Sequence, residues 1–168
     1  MIVGPSEDTI QAGNVKKDIA ERYNIRHRFW TELLKKAKQK TQLHANISPG
    51  QHSWIGASSG RSGIAFNYSI RQHDTQIELY IDRGTDSQEE NKNIFDQLYS
   101  NKDVIEKNFG DTLLWDRLDM KRASRISKQI LIGGYRDEAR WDEIIDAMVN
   151  NMINFAKAIK PHLKDLKL

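Results

Sequence analysis

The sequence predicts an α+β fold: one mainly antiparallel sheet packed by helices, in the order α-βββ-α-ββ-α. Two observations carry this. Runs that alternate apolar and polar residues, the strand period, occupy the middle of the chain in "GIAFNYSI" and "QIELYID". Runs with apolar residues at steps of three and four occupy both ends, and a third such run, 87–109, separates the strands into two groups. Grouped strands flanked by helices make an α+β layer arrangement rather than alternating βα units.

Each element has its own justification. Residues 1–14, with Gly4, Pro5 and Gly13, read as a flexible lead-in to a single domain over 15–168. From Val15 to Lys40, Ile19, Tyr23, Arg26, Phe29/Trp30, Leu33/Leu34 and Ala37 recur at helical spacing, so Phe29 and Trp30 are expected in the core. "HSWIGA" is a short strand, and Trp54 and Trp115 are expected to be core residues. In the next two strands Ile64, Phe66, Tyr68 and Ile70, then Ile77, Leu79 and Ile81, form one face of a meander, while Glu78, Tyr80 and Asp82 point the other way. The helix over 87–109 takes Ser87 as N-cap, Glu89 and Glu90 in its first turn and Gly110 as its stop. "TLLWDRL" and "RASRISKQILI" are two more strands, and a final apolar helix runs from near Asp137 up to Pro161.

Composition excludes several classes. The chain of 168 residues has no cysteine, so it forms neither disulfides nor thiolate zinc sites. Its five histidines are scattered without HxH or HxxxH spacing, and each is expected at the surface or in a turn; no metal site and no cofactor are expected. No apolar run is long enough to cross a membrane, and the N-terminus has no secretory pattern, so the expected location is the cytoplasm.

The stretch "GASSGRSGIAFNYSI" raises the question of a phosphate-binding loop. Such a loop needs four residues between its key glycines, then a Lys and a helix whose N-terminus holds the phosphate. Here three residues separate Gly56 from Gly60, Arg61 replaces Lys, and an alternating strand follows. The glycines are therefore expected to shape a connection between strands.

Two kinds of candidate site remain. Glu78 and Asp82, with Asp116, are carboxylates that a divergent nuclease would use to hold Mg²⁺, although Tyr80 stands where its lysine belongs. The second is a basic surface. Residues 1–50 hold nine Lys/Arg against five Asp/Glu, and Arg22, Arg26, Arg28, Lys35, Lys36 and Lys38 lie on the first helix. Arg61, Arg83, Arg122 and Arg125 are candidates for additional phosphate contacts in this reading, which makes binding strongly salt-dependent and largely independent of sequence.

The ordered motifs "RHRFWTELL", "SWIGASSGRSGIAFNYSI", "IELYIDR", "NKNIFDQLYSNKDVIEKNFGDTLLWDRL", "KRASRI" and "WDEIIDAMVNNMINF" span about residues 20–166. Together they resemble a bacterial and archaeal domain-of-unknown-function family. In that family the domain often follows an N-terminal half resembling a restriction-endonuclease-like nuclease. The resemblance implies an α+β domain in a restriction or mobile-element setting, and it carries no catalytic residues. The resulting expectation is a non-catalytic module that binds DNA, RNA or a nuclease partner. Its alternatives are a divergent Mg²⁺-dependent nuclease and a dimerisation module built on the last helix.

Overall fold

The computed structural model describes residues 7–168. Helix α1 (Glu7–Lys38) leads to strands β1 (Trp54–Ser58), β2 (Ile64–Ile70) and β3 (Thr75–Ile81). Helices α2 (Gln88–Tyr99) and α3 (Lys102–Phe109) follow, then β4 (Leu114–Asp116), β5 (Ser124–Ile130), a 3₁₀ turn (Glu138–Arg140) and α4 (Trp141–Lys164). The expected α+β class is found. All five strands form one antiparallel sheet in the order β1-β2-β3-β5-β4.

The two faces of this sheet differ sharply. Phe66, Tyr68, Ile77, Leu79 and Ile126 project from one face and are fully buried. Helix α4 lies against β3 and β5 there, flanked by α1 and α3. Edge-to-face aromatic pairs tie the layers together: Phe155 meets Phe66 and Phe109, each at 5.9 Å, and Phe29 meets Trp141 at 5.2 Å. Phe29 and Trp30 are core, as their helical phase requires.

Several boundaries differ from the sequence reading. Helix α1 begins by Glu7, so the later part of the expected lead-in is helical, and residues 1–6 lie outside the described residues. Its buried stripe starts only at Ile25, while Ile10 and Val15 are exposed. The helix expected over 87–109 is two helices. At the break, the Ser100 hydroxyl (2.6 Å) and the Asn101 amide (3.3 Å) both donate to the Gln97 carbonyl, and the Asn101 N–H turns to the Leu98 carbonyl. Side chains that compete for backbone acceptors end helices in this way. Ser87 sits at the N-cap position, but its hydroxyl donates to the Gly84 carbonyl rather than capping the helix. Gly110 stops α3 with φ of 96°.

The last helix starts at Trp141, after the 3₁₀ turn, and continues past Pro161 to Lys164. Burial of Leu163 holds the extra turn against the core, and Arg61 satisfies carbonyls that would otherwise be orphaned there. Two polar side chains are also built into the interior. Lys92 donates to the carbonyls of Arg117 (2.6 Å) and Ala123 (2.7 Å) and to the Ser124 hydroxyl (2.8 Å), fastening the β4–β5 connection to α2. His44 lies in a turn, as expected, but is buried rather than exposed.

Candidate functional site on the open sheet face

The second face of the sheet carries the polar half of each strand's alternation. Strand register sorts these residues into rows. Trp54, Ser69, Gln76 and Gln129 make the first; Gly56, Asn67, Glu78, Ser127 and Leu114 the second; Ser58, Ala65, Tyr80, Arg125 and Asp116 the third. Small residues in β1 and β2 leave a depression between larger neighbours. The result is a cavity of about 620 Å³, within the range of ligand pockets. Every residue lining it belongs to a strand or an adjoining loop.

The floor is unusual chemically. Asn67 and Glu78 line it, and Ser127 stands beside Glu78 in the same row; the three are buried at 6%, 7% and 0% exposure. Asn67 Oδ1, Ser127 Oγ and the neighbouring Arg125 Nε are buried without hydrogen-bond partners. Buried polar groups are nearly always paired, so three orphans on one sheet face call for an explanation. The rim is aromatic: Trp54 is 55% exposed and Tyr80 is 37% exposed. Trp54 is therefore not the core residue its strand suggests, because its place in β1 puts it on the open face. Trp115 is half-buried and packs against the core.

Gly56 is part of this construction. A Cβ there would lie 2.1 Å from Asn67 Oδ1, so the absent side chain lets the amide lie over β1. The other glycines of the stretch act as expected. Gly60 (φ 95°) and Gly63 (φ 76°) turn the chain between β1 and β2, and no helix follows.

Burial raises the pKa of Glu78, with the Arg125 charge and a hydrogen bond from Gln76 opposing it. A carboxyl whose pKa is raised by folding favours the fold while protonated, and that contribution is lost as pH rises through the raised value. Glu78→Gln is therefore expected to raise the melting temperature by a few degrees at neutral pH. The gain should vanish below the ordinary value of 4.5. Thermal melts at both pH values check this, and an equal gain at each would refute it.

The carboxylates Glu78, Asp82 and Asp116 do share this face, but two are engaged. Arg122 donates to both Asp82 oxygens, at 2.9 and 2.7 Å, and holds its pKa below the usual carboxylate range. Asp116 lies 3.8 Å from Arg125. Among the described residues, no group of three His, Asp or Glu is placed to hold a metal ion.

Most of the basic candidates have local partners. Arg28 pairs with Glu138 (3.0 Å) and lies over Trp141, and Lys36 pairs with Asp146 (2.9 Å). The Arg26 guanidinium stands 5.8 Å from the Tyr135 ring centre. Arg61 donates to the Leu163 and Lys164 carbonyls, and Arg83 pairs with Glu90 (2.8 Å) and donates to the Ser62 carbonyl. Arg22, Lys35 and Lys38 make no ion pair among the described residues. The structure thus brings Arg125 to the face that carries Glu78 and Asp116, holds Arg122 on Asp82 there, and directs Arg26, Arg28, Arg61 and Arg83 to partners elsewhere.

Asn67, Ser127, Trp54 and Tyr80 are the site residues that sequence reasoning missed. Alternation placed Asn67 and Tyr80 opposite the apolar face, yet only register shows that they share a floor and rim with β5. Among the described residues, no helix is long and apolar enough to cross a membrane. No curated protein and no solved structure matches the chain. The family model described as "Domain of unknown function (DUF4268)" matches residues 25–163, which includes the whole sheet and its open face, and the chain belongs to that family.

Proposed function

We propose that the protein is a non-catalytic recognition module that binds single-stranded nucleic acid on its open sheet face. The observation that carries this reading is the row of buried, partly unpaired polar side chains between two exposed aromatic rings. Sheet faces recognise unpaired bases by stacking them on aromatic side chains and bonding their edges. Trp54 and Tyr80 supply the stacking surfaces, and Asn67, Glu78 and Arg125 supply the edge contacts.

Charge refines the expectation drawn from the sequence. The face carries Glu78, Asp82 and Asp116 against Arg122 and Arg125, so it does not attract phosphates strongly. Affinity then comes from bases more than from the backbone, and its salt dependence is shallow. A setting beside a nuclease module, which the sequence resemblance implies, fits a recognition role.

Fluorescence anisotropy with one sequence in single-stranded and duplex form tests the proposal. The single strand should bind more tightly, and Tyr80→Ala or Trp54→Ala should weaken it about tenfold, the loss of roughly one stacked base. Lys35→Ala and Lys38→Ala should change it little. Equal binding of the duplex, combined with sensitivity to those lysines, would transfer the role to α1 and overturn the sheet-face reading.

A further inference from the structure

We infer that the base held on this face is guanine. The inference rests on the recognition role proposed above and adds to it the identity of the base. The cavity's polar inventory is asymmetric. Asn67 Oδ1 is an acceptor without a hydrogen-bond partner, Glu78 is a carboxyl group beside it in the same row, and Arg125 Nε, 3.8 Å from the Asp116 carboxylate, is a donor without a hydrogen-bond partner in the next row. A complementary ligand presents two donors and one acceptor on one edge.

Among the bases, guanine has that edge. Its N1–H and N2–H₂ groups donate and its O6 accepts, whereas adenine and cytosine each present a single exocyclic amine as donor, and thymine a single N–H. In the assigned arrangement Glu78 accepts from N1–H and N2–H, Asn67 Oδ1 accepts the second N2 hydrogen, and Arg125 Nε donates to O6. Asn67 Oδ1 and Arg125 Nε are buried in the free protein, and a side-chain rotation of the kind common on binding brings them to the ligand.

The position of Arg125 separates this ligand from a cationic one. Its guanidinium acts on the Glu78 carboxyl and lies 3.8 Å from the Asp116 carboxylate. A lysine or arginine side chain from a partner protein would bring a second cation beside Arg125 and offer its Nε–H no acceptor. A neutral base satisfies all three groups at once. The raised pKa of Glu78 adds a consequence: its ionised form is the double acceptor, so affinity for guanine weakens on acidification.

The test uses short thymidine oligomers carrying one central guanine, adenine, cytosine or thymine, titrated by anisotropy against the wild-type chain and Glu78→Gln. The guanine oligomer is expected to bind about tenfold or more tightly than the others. Glu78→Gln, which keeps the size of the side chain, is expected to lower binding of the guanine oligomer to the level of the other three while the chain still melts cooperatively. Equal wild-type binding of all four oligomers would overturn the guanine assignment and leave the sheet-face reading intact. Binding of none would overturn both. A guanine preference that survives Glu78→Gln would show that another group reads the base, and the assignment would fall.

Discussion

Replacing Gly134 with alanine is expected to lower the melting temperature by about 10 °C, the consequence of losing roughly 3–4 kcal/mol of stability in a chain of this size. Gly134 lies where the segment after β5 crosses the β2–β3 turn. A Cβ there would stand 2.1 Å from the Arg71 carbonyl oxygen and 2.6 Å from the Gln72 carbonyl carbon, both backbone atoms. The crossing cannot simply open. Tyr135 N–H donates to the Arg71 carbonyl and Arg136 N–H to the Gln72 carbonyl, each at 3.0 Å, and retreat breaks both bonds. Neighbouring Gly133 provides the control, because the atoms nearest its new methyl, at 2.9 to 3.1 Å, belong to the Asp137 and Ile144 side chains and none to the backbone. Calorimetry should show Gly133→Ala costing less than half as much. Similar losses would mean that the Gly134 crossing yields easily.

Acidification should destabilise the chain through His44 by about 3 kcal/mol across the window from pH 6.5 down to about 4. Burial drives this, lowering the His44 pKa to about 4 against the pull of a hydrogen bond to the Phe66 carbonyl. The sign follows from proton counting. The unfolded chain takes up a proton on His44 near 6.5 and the folded chain does not, so stability is complete above 6.5 and falls as pH drops toward 4. Structure explains the resistance to charge. His44 Nε2 lies 3.0 Å from the Phe66 carbonyl, the ring packs 4.7 Å from the Tyr68 ring, and Nδ1 is buried without a partner. Protonation would place an unpaired donor and a charge in that space.

Other groups titrate nearby, so a comparison isolates the effect. Urea denaturation of wild type and His44→Gln at both ends of the window should give stabilities that converge as pH falls. The variant is less stable at neutral pH, because it disturbs the Phe66 bond and the Tyr68 contact. Curves that remain parallel would refute the assignment to His44.

How much of this was legible in the sequence depends on the range of the interaction. The alternation in "IAFNYSI" and "TQIELYI" placed Phe66, Tyr68, Ile77 and Leu79 in the core and Glu78, Tyr80 and Asp82 opposite them, because side-chain direction in a strand follows from the local backbone. The same holds for Phe29 and Trp30, whose burial follows from helical phase. The break at Ser100–Asn101 was less legible, since it rests on which donor wins one carbonyl. The basic residues misled for a related reason. Composition counts charges, but Arg61 is directed to the end of α4, 102 residues away, and Arg28 to Glu138, 110 residues away.

By itself the sequence determined the α+β class, the meander of β1–β3, the apolar stripe of α4 and the turn chemistry of Gly60, Gly63 and Gly110. These are properties of neighbouring residues, set by backbone sterics and short-range periodicity. Tertiary structure alone decided that β5 inserts between β3 and β4, and that its register brings Ser127 beside Glu78 and Arg125 beside Tyr80. It also decided that Trp54 stands at a rim and His44 in the interior. Register is fixed by which faces the whole sheet buries, and a shift of one residue would exchange the polar floor for the core. The candidate site exists only in that alignment.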